Sequence, residues 1–222
     1  MNYSVNLLRR FTIHALDGEL GKVVDFYFDD ASWHVRYLVV DTGSWLPGRK
    51  VLISAAQLGH WDEIHHSIAV ALTQDQVRNS PDVDTAMPVS RQHEEELHRH
   101  YGWPFYWTGM MGLGSDYDYW TPPDPTLMKH LPLGGDPHLR SAREIEGYAV
   151  HAVDGDIGHV EDFIVEDDEW HIAYLVAKTR NWLPGRHVLL VPEWVERFDW
   201  DSSEVAIRQT CDEVLHSPEL VT

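Results

Sequence analysis

Short segments rich in aromatic and β-branched residues alternate with turn-forming residues towards both ends of the chain. VVDFYFDD (23–30) ends in an acidic turn and is followed at once by WHVRYLVVDT (33–42). Two such segments joined by a short polar turn predict a β-hairpin. RKVLI (49–53) and SIAVAL (67–72) have a similar composition and predict two further strands. Several short strands at close spacing indicate a small β-barrel or sandwich.

The whole pattern occurs twice, at a constant spacing of 137 residues. Residues 11–52 align with residues 148–189 without a gap, and 22 of the 42 paired positions are identical. Identity over this length indicates a duplicated domain rather than a short motif used twice. The sequence therefore predicts two copies of one β domain, at 1–84 and 141–222.

The segment between the copies, 85–140, has no counterpart in either of them. Within it, SRQHEEELHRHYGW (90–103) has its acidic residues early and predicts a short helix. The residues that follow are rich in Trp, Tyr, Gly and Pro and show little helical or strand period. We expect this aromatic linker to pack against one or both copies, because so apolar a segment is costly to expose to water.

Turn chemistry is duplicated as well. Each copy has an Asp-Gly pair, at 17–18 and 154–155, which is typical of a tight hairpin turn. Gly21 and Gly158 each predict a bulge or a tight corner of the sheet.

The two copies end in similar segments, TQDQVRNSP (73–81) and TCDEVLHSP (210–218). Each predicts one short helix that is capped by its threonine and stopped by its proline.

Charge limits the classes of partner. The chain has 17 Lys and Arg against 36 Asp and Glu, a formal net charge of −19 at pH 7. Such a protein repels phosphate backbones and anionic membrane surfaces, which argues against direct nucleic-acid binding.

Cysteine content and hydropathy indicate a cytoplasmic protein. Cys211 is the single cysteine, which excludes an intrachain disulfide and a cysteine-rich zinc site. No apolar run approaches the roughly 18 residues of a transmembrane helix. The first residues lack the apolar core of a signal peptide.

The loop TGSWLPGRKVL (42–52) returns as TRNWLPGRHVL (179–189). Proline then glycine fits the two central positions of a type II turn. The arginine that follows could pair with a carboxylate, Asp25 or Asp162. Trp and Arg also dominate the hot spots of protein interfaces. The loops predict either a packed, salt-bridged turn or a protein-binding surface, formed by Trp45, Arg49, Trp182 and Arg186.

The linker helix carries a candidate metal site. His93 and His100 are seven residues apart, two turns along one helix face, and Glu96 lies between them on that face. Imidazole and carboxylate groups bind zinc and similar metals. A solvated, partly amphipathic helix explains the same pattern, so both interpretations stay open.

Motifs of catalysis are absent from the sequence. It contains no G-x-S-x-G, no P-loop, no dinucleotide fingerprint and no H-E-x-x-H. Carboxylates are plentiful, but they are spread along strand edges and turns. The sequence therefore predicts no catalytic residue, no cofactor and no enzymatic activity.

DGELGKVVDFYF and DGDIGHVEDFIV, each followed by a strand that ends in threonine and then by a basic strand start, resemble the PRC-barrel domain. That family includes the cytoplasmic domain of the photosynthetic reaction centre H subunit and a domain of the ribosome maturation factor. The resemblance implies an all-β chain with two tandem, small, antiparallel PRC-like β-barrels joined by the aromatic linker with its short helix. Lys178 departs from the pattern, since the first copy has Asp41 there.

The resemblance also implies a docking role, because family members work as docking or assembly modules with different partners. The chain is expected to be a non-enzymatic protein-binding or assembly module of a bacterial cytoplasm. Its partner would be an unidentified protein, and a homodimer is one form of assembly to test. The alternative is a metal- or proton-responsive binding protein that uses the linker histidines.

Overall fold

The computed structural model describes residues 2–81, 91–106, 139–166, 169–179 and 186–217. These residues are rich in strands, which form two sheets of seven strands each. Each sheet is built mainly from one copy of the repeat. The duplication in the sequence therefore appears as two similar sheets.

Most strands of the first sheet follow the apolar segments of the first copy. They are β2 (Thr12–Ala15), β3 (Gly18–Asp29), β4 (Val35–Asp41), β5 (Lys50–Ser54), β6 (Leu58–Asp62), β7 (Ser67–Val70) and β8 (Leu139–Ser141). The strand order is β5-β4-β3-β2-β7-β6, and β8 pairs with β3.

The second sheet repeats this arrangement. Its strands are β1 (Asn2–Ser4), β9 (Ala149–Ala152), β10 (Gly155–Glu166), β11 (His171–Thr179), β12 (His187–Leu190), β13 (Val195–Asp199) and β14 (Glu204–Ile207). The order is β12-β11-β10-β9-β14-β13, and β1 pairs with β10.

The sheets are mixed, which corrects the expectation of a purely antiparallel fold. β2 and β7 are parallel, as are β9 and β14, whereas the other strand pairs in the described residues are antiparallel. The cause is the 3₁₀ turn at Ala55–Gln57, across which β5 runs on into β6 without reversing. The hairpin from β6 then lays β7 beside β2 in the same direction.

Each sheet must curl. Its two outermost strands follow one another in the chain, and the short connection between them can only be made if the two edges of the sheet come close together. Only Ala55–Gln57 separate β5 from β6, and only Val191 and the 3₁₀ turn Pro192–Trp194 separate β12 from β13. In the described residues the backbone ladder stays open between those end strands. The structure therefore shows two curled, strand-rich sheets.

The described residues also contain five helices. They are α1 (Val5–Leu8), α2 (Gln74–Arg78), α3 (Arg91–Tyr101), α4 (Ala142–Ile145) and α5 (Cys211–Leu215). Thr73 and Thr210 cap α2 and α5, each in a capping box with the residue three positions on, which confirms the sequence prediction. The predicted linker helix is α3.

The two copies exchange their first strands. β1, at the start of the first copy, pairs with β10 of the second, and Ser4 lies opposite Ile164. β8 pairs with β3 of the first copy, and Ser141 lies opposite Tyr27. The registers are related by the same 137-residue offset as the sequences, so the exchange is reciprocal.

One contiguous hydrophobic core runs through both copies. The side chains of Phe26, Phe28 and Phe163 are almost completely buried, and the rings of Phe28 and Phe163 lie 5.5 Å apart across the boundary between the copies. Burying one such side chain contributes roughly 1.5–3 kcal/mol. Because the cluster contains residues of both copies, neither copy has an independent interior.

Gly21 and Gly158 lie where neighbouring strands approach most closely. A Cβ at Gly21 would sit 2.0 Å from the carbonyl oxygen of Asp41, and one at Gly158 would sit 1.9 Å from that of Lys178. The register of β10 against β9 shifts between Asp156 and Gly158. The predicted bulge is confirmed, and glycine is needed because there is no room for a side chain.

We expect Gly158→Ala to lower the free energy of unfolding by about 3 kcal/mol or more, because the added carbon forces strand backbones apart. Gly155→Ala is the matched control, since its Cβ would meet only the Sγ atom of Cys211, at 3.3 Å. Urea unfolding followed by circular dichroism measures both. Equal midpoints for the two variants would contradict the packing argument.

Candidate functional site

The repeated loop forms the predicted turn. The N–H of Arg49 donates to the carbonyl of Leu46 at 3.2 Å, and Gly48 has φ of +78°, as position three of a type II turn requires. The hydroxyl of Thr42 shares its one proton between the carbonyl oxygens of Leu46 and Arg49, which lie 2.6 and 2.7 Å away. The start of the loop thereby holds its end.

Arg49 and Trp45 bind to their own copy. The guanidinium of Arg49 donates to the carbonyl of Arg78 at 2.6 Å and to that of Ser80, just beyond α2. The indole N–H of Trp45 donates to the carbonyl of Leu20 at 2.5 Å. Orphan carbonyls at a helix C-terminus attract cations, so Arg49 caps α2. These contacts agree with the structural interpretation of the loop.

The second loop is described in part. Trp182 lies outside the described residues. The carbonyl of Arg186 accepts from the N–H and the hydroxyl of Thr179, at 2.9 and 3.2 Å, as that of Arg49 does from Thr42. The protein-binding role of Trp45, Arg49, Trp182 and Arg186 stays a prediction.

Asp25 and Asp162 hold the exchanged strands. Oδ2 of Asp25 accepts from the hydroxyl of Ser141 at 2.6 Å, and its Oδ1 accepts from the N–H of Arg143 at 3.0 Å. Ser4 donates in the same way to Asp162. The sequence offered Asp25 and Asp162 as candidate partners of the loop arginines. In the structure each binds the serine and first helical turn that the other copy supplies.

Arg9 and Glu146 form an ion pair at equivalent positions of the two copies, 137 residues apart, with the nitrogen and oxygen 2.5 Å apart. Because the reciprocal exchange relates the two copies by a pseudo-twofold axis, residues at equivalent positions can meet only beside that axis. Burial raises the pKa of Glu146, and the positive charge of Arg9 partly offsets that rise. The pair therefore marks a half-buried polar centre between the copies.

A second contact on this axis joins the starts of β4 and β11. The N–H of Val35 donates to the carbonyl of Trp170 at 2.7 Å, and the N–H of Ile172 donates to the carbonyl of Trp33 at 2.8 Å. Between these bonds, His34 and His171 form an isolated bridge with ring centroids 5.2 Å apart. The sequence repeat alone does not show that equivalent residues meet.

The histidine at the centre of this bridge is partly removed from water. Burial lowers the pKa of His34, and Arg36 and His171 lower it further, whereas a hydrogen bond to the carbonyl of Ser32 opposes them. Removal from water and the positive charge of Arg36 therefore favour the neutral form of His34.

A comparison with known families agrees with this geometry. The family model of the PRC-barrel domain matches residues 3–75. Residues 3–75 form a PRC-barrel domain. The match begins in β1 and ends in α2. β1, which pairs with β10 in the second sheet, is therefore part of the matched PRC-barrel domain. No curated protein matches the chain.

The helix that carries the linker histidines contacts the PRC-barrel domain of the first copy. Glu96 and His100 are exposed, and Nε2 of His100 contacts the carbonyl of Gln76 at 2.8 Å. His93 is half-buried on the same helix. Among the described residues no group of three His, Cys, Asp or Glu side chains has the geometry of a metal site.

Sequence reasoning missed the polar residues that α3 buries against the PRC-barrel. Glu94 and His98 are 0% and 3% exposed. Both contact the hydroxyl of Tyr37, which projects from β4. The four-residue spacing of Glu94 and His98 puts them on one helix face, and this signal was available in the sequence.

Membrane insertion through a helix has no support in the part of the chain described here, where no helix combines the length and apolar character of a membrane span.

Arg49→Ala is expected to destabilise the protein by about 2–3 kcal/mol, because it removes charged hydrogen bonds that cap α2. The melting temperature should fall by about 5 °C or more. Arg10→Ala is the control, since Arg10 is exposed. A melting temperature equal to that of the control would leave Arg49 available as a partner-binding residue.

Asp25→Asn is expected to loosen β8 from β3. The amide replaces one carboxylate oxygen with a donor, so the bonds from Ser141 and Arg143 can no longer both form at full strength. Hydrogen exchange at 139–145 should accelerate at least tenfold. Asp75→Asn, at an exposed position of α2, should leave these rates unchanged. Unchanged exchange in Asp25→Asn would show that the carboxylate does not hold the strand.

Proposed function

We propose that this protein is a non-enzymatic protein-binding or assembly module of the PRC-barrel type. The binding role is proposed by analogy with the cytoplasmic domain of the reaction centre H subunit, and the two copies act as tandem barrels joined into one unit. The proposal includes a bacterial cytoplasmic location and an unidentified protein partner. What supports it is a frame shared by both copies that displays an exposed aliphatic side chain at the equivalent position of each, Leu16 and Val153.

That side chain lies at the tip of an equivalent hairpin in each copy. Ala15 pairs with Gly18, so Leu16 and Asp17 form the two-residue tip between β2 and β3. Leu16 is 74% exposed, and its equivalent Val153 is 64% exposed. The Asp-Gly pair is therefore shifted by one position from the expected centre of the turn, which places the aliphatic residue at the tip.

Each tip is anchored to the first residue of a helix in its own copy. The carboxylate of Asp17 accepts from the N–H of Gln74, the first residue of α2, at 2.8 Å. Asp154 accepts from the N–H of Cys211, the first residue of α5, at 2.7 Å. An apolar group held on a fixed turn loses little conformational entropy on binding, which favours recognition.

Exposure alone does not mark a binding residue, because single apolar residues are common on surfaces. Ile64 is 86% exposed, and the equivalent position in the second copy is Asp201. Leu16, in contrast, has an aliphatic counterpart that is equally placed and also exposed. The duplicated aliphatic tips are therefore the better candidates for a binding surface.

The competing metal-binding function has less support. Glu96 and His100 are exposed on α3. Among the described residues, no group of three His, Cys, Asp or Glu side chains could hold a metal ion. The geometry favours the assembly module.

The double variant Leu16→Glu/Val153→Glu tests this proposal. We expect it to capture the protein partner from cross-linked native extract at least tenfold less efficiently than the wild type, because charge replaces both apolar contacts. The single variants should lie between these extremes, since two linked contacts bind more tightly than one.

Ile64→Glu is the matched control, and it should retain the wild-type capture. Light scattering on each variant shows whether the captured partner is a second copy of the chain. Equal capture by the wild type and the double variant would overturn the assignment of the tips.

A further inference from the structure

His34 and His171 occupy equivalent positions of the two copies and face each other across the pseudo-twofold axis. The hydrogen bonds that close their bridge are made by the backbone of the residues on either side, and not by the histidines themselves. In an antiparallel pair of this kind the two side chains lie on one face, at the shorter of the two cross-strand spacings. The backbone therefore brings two imidazoles together, one from each copy.

The residue before each histidine has the same unusual backbone conformation. Trp33 has φ of +60° and Trp170 has φ of +54°, in the left-handed region that bulky residues rarely adopt. Both indoles are packed, with the ring centroid of Trp33 5.7 Å from that of Phe28 and the ring centroid of Trp170 4.9 Å from that of Trp61. A strained backbone persists only where its surroundings hold it, so aromatic packing fixes the start of both strands.

The tautomer of His34 is set by a backbone acceptor. Its Nδ1 lies 2.8 Å from the carbonyl oxygen of Ser32, which can only accept, so Nδ1 carries a proton. Burial lowers the pKa of His34 and favours the neutral ring, in which Nε2 has a lone pair. Histidines that bind metals are commonly oriented by a hydrogen bond of this type from the other ring nitrogen to a carbonyl.

The remaining ring nitrogens of the pair are accessible. Within the part of the chain that the structure describes, no hydrogen bond is made by Nε2 of His34 or by either ring nitrogen of His171. These nitrogens are also not among the buried polar atoms of the described residues that lack a partner, so each of them touches water. An ion can therefore reach them from solvent.

The separation of the two rings suits a shared metal ion. The ring centroids of His34 and His171 lie 5.2 Å apart, and the ring planes are inclined by 76°. Two imidazoles on one tetrahedral zinc ion, with nitrogen–metal distances of about 2.0–2.1 Å, have ring centres roughly 5 Å apart. Imidazole nitrogen suits zinc, copper and nickel, whereas calcium and magnesium prefer oxygen ligands.

Charges close to the pair act in opposite directions. Burial is the largest cause of the lowered pKa of His34, Arg36 lowers it further, and Glu169 raises it. The guanidinium of Arg36 is itself paired with Asp29, at 3.5 Å. The chain as a whole has a formal net charge of −19, which attracts cations. The field of the protein therefore does not oppose a divalent cation at this place.

We propose that His34 and His171 form a two-histidine site for a zinc, nickel or copper ion, which joins the two copies at their axis. Water completes the coordination, because the described residues offer no group of three His, Cys, Asp or Glu side chains for a metal. The site is separate from the linker histidines, and it does not depend on the protein-binding role of the hairpin tips. Since each copy supplies one ligand, a bound ion fastens the copies together and stabilises the folded chain.

Calorimetric titration of the full chain with ZnCl₂ and NiCl₂, without a histidine tag, tests the proposal. We expect a site for one ion per chain, to which His34→Gln and His171→Gln each bind at least tenfold more weakly. Because one ion needs both imidazoles, the double variant should be little weaker than either single variant. Equal affinity in the wild type and the double variant would overturn the proposal.

His14→Gln is the matched control, because His14 is an exposed histidine of β2. It should keep the affinity of the wild type. The melting temperature of the control should also rise with saturating ZnCl₂ as that of the wild type does, whereas that of the double variant should rise less. An equal rise in the double variant would assign the stabilisation to another site and contradict the proposal.

Nuclear magnetic resonance of the wild-type chain locates the ion without any substitution. Substoichiometric Cu²⁺ should broaden the amide signals of residues 33–36 and 170–173 first, because paramagnetic broadening falls steeply with distance. Broadening that begins elsewhere, including on α3 with His93 and His100, would overturn the proposal.

Discussion

The structure depends on one constraint, the pairing of the C-terminal halves of β3 and β10 with β8 and β1, the short strands that the other copy supplies. The first residues of β3 pair with β2, but residues 27–29 extend beyond it. An unpaired, apolar strand edge leaves backbone donors and acceptors without partners and invites aggregation. Each copy completes the edge of the other with three residues. Asp25 and Asp162 fix those residues by binding the serine that ends each exchanged strand.

Reciprocal exchange makes the two copies one folding unit. β1 belongs to the first copy in sequence and to the second sheet in space, and the same holds in reverse for β8. The Arg9–Glu146 ion pair and the His34–His171 bridge also join the two copies. Separating the copies would expose a strand edge, a half-buried ion pair and part of a shared core. Equivalent surfaces on the two halves are therefore held at a fixed separation and orientation.

Local features could be predicted from the sequence, because they depend on neighbouring residues. The Leu46–Arg49 turn, the caps at Thr73 and Thr210 and the close approach at Gly158 each follow from residue types a few positions apart. The exchange could not be predicted in this way. Three-residue strands carry too little periodicity to be recognised. Nothing within one copy indicates that Asp25 binds a serine of the other copy rather than Arg49.

The residues of α3 show a second limit. A row of acidic and histidine residues is typical of a solvated helix, and it explains Glu96 and His100, which are exposed. Glu94 and His98 belong to the same row but are buried, because Tyr37 provides a hydroxyl beneath them. In the second copy the equivalent Tyr174 is only half-buried. Among the described residues, this buried polar contact lies on the half formed by the first copy. The two halves are therefore not equivalent around α3, although each hairpin tip carries an exposed aliphatic residue, Leu16 on one half and Val153 on the other.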